Sequence, residues 1–148
     1  MDDSGEIFED LSARISSSAF HAAFGMRLAG AERGSVRLTF EAGLEQINLQ
    51  GLIHGGVIAT LADTAMGLAV RSSMEPNRRH VTIELGVHYL LPARPGRLEA
   101  IGRAVRVGSQ VAYAEADVLD MQGRLLARGN GTYAVGALKT EPDGDGPS

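Results

Sequence analysis

A chain of 148 residues with no cysteine and a formal charge of −4 is long enough to bury its own core, and it does so without disulfides or thiolate-bound metal. The acidic balance gives no reason to expect nucleic acid or an anionic membrane as the main partner. The first residues, Met1-Asp-Asp-Ser-Gly-Glu, are acidic where a targeting signal would be basic. The longest apolar stretch, residues 57–70, is too short to span a bilayer and has an acid at its centre; a soluble, cytoplasmic protein is expected.

Residues 5–24 carry Ile7, Leu11, Ile15 and Ala19 at helical spacing, which predicts one N-terminal helix packed on the outside of the domain. Residues 26–41 read as two strands joined at Gly34, with Val36, Leu38 and Phe40 alternating with Arg37, Thr39 and Glu41. An irregular approach over 44–51 leads to a helix over 55–73, apolar or small on nearly every face from Val57 to Val70 and therefore interior.

In the middle of that helix stands Asp63. A buried carboxylate without an evident basic partner is costly, which favours a chemical role over satisfaction by Thr60 or by backbone groups. His54-Gly55-Gly56 starts the helix, where unpaired N–H groups at the positive end of the dipole suit an oxygen anion; close packing is the plainer use of the two glycines.

Pro76 breaks the chain, and four strands follow at 80–91, 97–107, 110–120 and 124–135, with short turns at Gly108-Ser109 and Met121-Gln122-Gly123. In the first of them Val81, Ile83, Leu85, Val87 and Tyr89 are expected on one face, and Thr82, Glu84 and His88 on the other. Small residues recur at every second position: Ala100, Gly102 and Ala104; Ala112, Ala114 and Ala116; Ala127, Gly129 and Gly131. Such a face lets a helix approach closely, so the central helix is expected in the concave face of a curled antiparallel sheet, an α+β layout.

Asn48 six residues before His54-Gly55-Gly56, the segment Leu61-Ala-Asp63-Thr-Ala65, the strand Val81–Tyr89 and the closing run Asp120–Gly129 occur in the order β-β-α-β-β-β-β. Over roughly residues 25–136 this pattern resembles the hotdog-fold acyl-CoA thioesterases of the phenylacetate-degradation and 4-hydroxybenzoyl-CoA types. The resemblance implies a hotdog domain at 25–138, in which an antiparallel sheet wraps a long central helix; the helical spacing before it makes 1–24 an N-terminal helical segment, and the tail at 139–148, with nothing to bury, is expected to be disordered. It implies hydrolysis of an aryl-acyl or short- to medium-chain acyl-CoA to the free acid and CoA, with no cofactor beyond the coenzyme A of the substrate.

By the same resemblance the Gly55 N–H and Asn48 hold the thioester oxygen, Asp63 is general base or nucleophile, and Thr82 steers the water. His54 either fixes Asn48, faces the sulfur, or is a helix-start residue bonded to backbone. Gly56, Met66, Gly108, Ser109 and Arg106 are the expected substrate-binding residues: an acyl pocket around Met66, Leu68 and Val70, and a pantetheine path at the 108–110 turn. Arg106, with Arg94, Arg97 and Arg103, either meets the CoA phosphates or forms a solvated strand face. His21, His80 and His88 are expected to have no chemistry, and the histidines show no metal-ligand spacing.

Gly55 and Asp63 stand eight residues apart, about 12 Å along one helix axis, too far to serve one carbonyl. A homodimer, alone or doubled into a homotetramer, solves this by setting Gly55 and Asn48 of one subunit against Asp63 of the other. Two further readings stay open: an acyl-CoA-binding module without hydrolysis, and an enoyl-CoA hydratase or dehydratase on the same fold.

Overall fold

The computed structural model describes residues 2–137, and the expected tail at 139–148 lies outside them. The chain runs α1 (Ser4–Ser17), α2 (Ala19–Phe24), β1 (Arg27–Glu32), β2 (Ser35–Ala42), a 3-10 turn (Leu44–Gln46), α3 (Gly55–Ser72), β3 (Arg78–Tyr89), β4 (Gly96–Val107), β5 (Val111–Asp120) and β6 (Leu125–Ala137). The N-terminal segment is two helices, not the expected one. The Ser18 hydroxyl accepts from the His21 N–H, and its extended backbone ends α1 while capping α2. Leu11 and Ile15 are buried as their spacing predicts, and α1 packs on β1.

One six-stranded sheet has the order β1-β2-β4-β5-β6-β3, with every neighbouring pair antiparallel. Its concave face holds α3, which touches all six strands. The small-residue face is what permits this contact. A Cβ built on Gly102 would stand 2.2 Å from the Ala65 carbonyl oxygen, and one on Gly129 would stand 3.2 Å from Ala62 Cβ. Leu61, Ala62, Ala65, Met66, Ala69 and Val70 are fully enclosed between helix and sheet.

Both ends of α3 are tied down. At its start the His54 imidazole accepts at Nδ1 from the Gly56 N–H over 2.9 Å. After its last turn the Arg71 guanidinium donates to the carbonyls of Met74, Glu75 and Arg78, favourable at the negative end of the dipole.

Strand β3 departs from simple alternation. Thr82 pairs with Tyr133 and Glu84 with Thr132, and the register shifts between them. The bulge at Ile83 reverses the phase, so Thr82 shares the helix side with Leu85, Val87 and Tyr89, while Val81 turns to the outer side. The face expected to carry Val81, Ile83, Leu85, Val87 and Tyr89 together is therefore split. As the last strand of the sheet β3 is also an open edge, where Val81 is 62% and Ile83 61% exposed.

Candidate active site

Asp63 lies half-buried on α3, beneath the β3–β6 pair. Its Oδ1 accepts from the Thr82 hydroxyl over 3.0 Å and from the Tyr133 hydroxyl over 2.9 Å. Its Oδ2 takes no hydrogen bond among the described residues, and no arginine, lysine or histidine there stands within ion-pair distance of it. The carboxylate is thus satisfied on one oxygen and open on the other. The Thr60 hydroxyl donates to the Gly56 carbonyl, leaving Asp63 to its two strand partners.

At the start of the same helix the Gly55 N–H is open among the described residues. Gly56 N–H goes to His54 Nδ1 and Val57 N–H to the His54 carbonyl, while Gly55 N–H has no acceptor among the described residues. The Tyr89 hydroxyl donates to the Gly55 carbonyl over 2.7 Å, and its ring stands 3.2 Å from where a Gly55 Cβ would be. A side chain at this position would require the tyrosine to give way by a few tenths of an ångström.

Asn48 holds the loop before the helix. Its Oδ1 accepts from the N–H groups of Gln50 and Leu52, an Asx-type turn closed by the Ile47–Ile53 bridge. Its side-chain amide N–H groups make no hydrogen bond among the described residues, so the oxygen orders the loop and the donors stay available. No hydrogen bond joins His54 to Asn48; His54 takes the helix-start role, with its own N–H bonded to the Gln46 carbonyl.

The other expected residues fall in three places. Met66 is fully buried, its methyl group 3.2 and 3.6 Å from where Cβ atoms on Gly131 and Gly129 would stand. Gly108 and Ser109 form the β4–β5 turn, where the Ser109 carbonyl accepts from Arg78. This turn follows the register row Val107–Ala112–Tyr133–Thr82, so it begins one row beyond Asp63's partners. Arg106 stands exposed opposite Tyr113. Of the four arginines, Arg103 is committed to Asp117 at 3.1 Å and Arg97 reaches Glu41 only at 3.9 Å. Arg94 and Arg106 have no ion pair among the described residues.

Two residues of the site escape a reading of local pattern: Tyr133 and the hydroxyl role of Tyr89. A signal for Tyr133 exists in retrospect, since it falls in phase with Gly129 and Gly131 on the face left small for the helix. Burial, and then the Asp63 charge beside it, push the Tyr133 phenol far above the usual tyrosine range, so it is a firm proton donor. His80 lies edge-on to the Tyr133 ring at 5.7 Å, held below its ordinary range first by burial and then by the charge of Arg71.

Among the described residues no group of three or more His, Asp or Glu is gathered as metal ligands, and no helix is long and apolar enough to cross a membrane. A long helix laid in the concave face of a curled antiparallel sheet defines the hotdog fold, and the family match makes the protein a thioester hydrolase. The chain belongs to the thioesterase superfamily, which residues 50–127 match. A relative in Halobacterium salinarum is 48% identical over 94 residues, spanning 58% of this chain and 62% of that protein, less than two thirds of its length. The medium/long-chain acyl-CoA thioesterase YigI of Escherichia coli K12 is 30% identical over 132 residues, 79% of this chain and 85% of its own. In fold, the chain matches the E. coli PaaI protein from the phenylacetic acid degradation operon with a TM-score of 0.82, over 88% of this chain and 94% of that one, at 22% identity.

Proposed function

We propose that the protein hydrolyses acyl-CoA to a carboxylic acid and free CoA, in sites shared between the two subunits of a homodimer. The observation that carries this reading is the division of labour along α3: an oxyanion-type donor at Gly55 and, eight residues on, a carboxylate with one oxygen anchored and one open. The edge strands supply the geometry. Two β3 strands paired antiparallel about a two-fold axis between Leu85 and Gly86 set Thr82 of one subunit opposite Tyr89 of the partner subunit. Thr82 bonds Asp63 and Tyr89 bonds Gly55, so this register brings Asp63 toward the partner subunit's Gly55. The exposed Ile83 on that edge, and the fully exposed Leu49 in the Asn48 loop, are apolar surface that such a partner covers.

In the reaction the Gly55 N–H and the Asn48 amide hold the thioester oxygen as it gains charge. Asp63 Oδ2 takes a proton from water as the water oxygen bonds to the carbonyl carbon. The C–S bond then breaks, and the proton passes to the departing CoA thiolate. Attack by Asp63 itself, through an anhydride that water opens, uses the same atoms. Thr82 keeps a lone pair for the water while its hydroxyl donates to Asp63. Gly56, Met66 and the Gly108-Ser109 turn are assigned to the acyl and pantetheine portions, and Arg106 to the phosphates. The reading includes a cytoplasmic location and no cofactor beyond the coenzyme A of the substrate.

The test is free-thiol release from medium- and long-chain, short-chain and aromatic acyl-CoAs by the wild-type protein and by Asp63→Asn. Turnover that falls at least about a hundredfold in the variant is expected. No thiol release from any substrate, or an Asp63→Asn variant with full turnover, overturns the reading. An enoyl-CoA that loses its conjugated absorbance without releasing thiol would assign hydration instead.

A further inference from the structure

We infer that Tyr133 is a positioning residue for the hydrolysis, and that it selects which oxygen of Asp63 does the work. This inference rests on the acyl-CoA reading above. The Tyr133 side chain is 1% exposed, yet its hydroxyl reaches Asp63, 70 residues earlier, at 2.9 Å from Oδ1 and 3.2 Å from the main-chain oxygen. One phenol thus spans the carboxylate and the backbone of the same residue. It pins the Asp63 side chain against its own helix and leaves Oδ2 without a hydrogen bond among the described residues.

Two glycines keep the slot open. A Cβ on Gly131 would stand 2.8 Å from the Tyr133 ring and 3.0 Å from its hydroxyl oxygen. One on Gly67, a helical turn after Asp63, would stand 3.7 Å from the ring and 3.1 Å from His80 Nε2. Part of the small-residue face therefore serves the site as well as helix packing, because it lets an aromatic lie across β6 toward the helix. His80 closes the far side of the ring. Thr82 approaches the same Oδ1 from the neighbouring strand, so the two hydroxyls converge on that oxygen.

The roles are separable. A phenylalanine fills the slot but cannot donate, so it leaves Thr82 alone to hold Oδ1 without emptying the core. In Tyr133→Phe the turnover number should fall about tenfold, the worth of one hydrogen bond to a charged group. The Michaelis constant should stay within about twofold, because the phenol does not contact substrate. A purely structural tyrosine would lower the melting temperature and leave the turnover number of the folded fraction unchanged.

The experiment compares thiol-release kinetics of wild type and Tyr133→Phe, and the 13C resonance of the Tyr133 Cζ in wild type and Asp63→Asn. The expected result is the split of kinetic constants above, with a Cζ resonance that moves when its acceptor loses charge. Wild-type turnover in Tyr133→Phe, or a Cζ resonance unmoved by Asp63→Asn, overturns the inference. The resonance arm needs neither activity nor a folded Tyr133→Phe protein. Absence of turnover in wild type would overturn the acyl-CoA reading alone, with the resonance still deciding whether this phenol holds that carboxylate.

Discussion

Thr82 and Leu85 lie three residues apart on one strand and face the same side of the sheet, because the bulge at Ile83 inserts one extra residue between them. Regular alternation from Leu85 would send Thr82 to the outer face. The bulge turns it inward, where its hydroxyl meets Asp63 Oδ1 at 3.0 Å. Thr82→Val keeps the β-branched shape and removes the donor. Its turnover should fall about tenfold with a melting temperature close to wild type, since the residue is exposed. Steady-state thiol release beside a thermal melt checks both, and unchanged turnover would remove Thr82 from the site.

The open β3 edge carries its own prediction. A charge at Ile83 faces water in a monomer and is buried in a β3–β3 pair, so Ile83→Lys should convert the proposed dimer to monomer, read by sedimentation velocity. Turnover should vanish together with the dimer, because Gly55 and Asp63 of one chain stand about 12 Å apart along the helix. A monomeric variant with full activity would refute the shared site.

Among the glycines of the sheet, Gly102 stands nearest the helix backbone. A methyl there would run into the Ala65 backbone at 2.2 Å, whereas one at Gly129 meets the Ala62 methyl at 3.2 Å and the Gly86 carbonyl at an ordinary 3.5 Å. Backbone cannot step aside as a side-chain tip can, so Gly102→Ala should cost about 3 kcal/mol, lowering the melting temperature by about 10 °C. Gly129→Ala should cost about 1 kcal/mol. Equal losses in the two variants would contradict the packing described.

His80 gives the protein an acid-sensitive component. Burial first, then Arg71, hold its folded-state pKa below the unfolded value, which lies at about 6.5. The unfolded chain therefore takes up the proton first as pH falls. Stability is whole above about pH 6.5 and is lost progressively below it, until the folded-state pKa is passed. His21 is shifted in the same direction by burial and adds to the effect. Melts between pH 8 and pH 5, limits set around that value, should show a shallower decline for His80→Gln than for wild type. An equally steep decline would assign the acid sensitivity elsewhere.

Much of this molecule is written in short-range pattern. The helix at Gly55, the carboxylate at its centre, the hairpin turns and the small face of β4, β5 and β6 all follow from spacing and residue size. These are properties of neighbouring residues, and local sterics act on neighbours. The distance from Gly55 to Asp63 followed from helix geometry alone, and with it the need for a second subunit in the proposed site.

What tertiary structure decided lies between segments. The bulge at Ile83 exists only as a register against β6, and a one-residue shift there inverts the face of every residue beyond it. Tyr133 meets Asp63 because β6 happens to cross the helix at that turn, with Gly67 and Gly131 clearing the way. Asn48 and His54 proved to be bonded to backbone first. Residue type and period decide which elements form; which hydroxyl reaches which oxygen depends on how a curled sheet brings distant strands into one register over a helix.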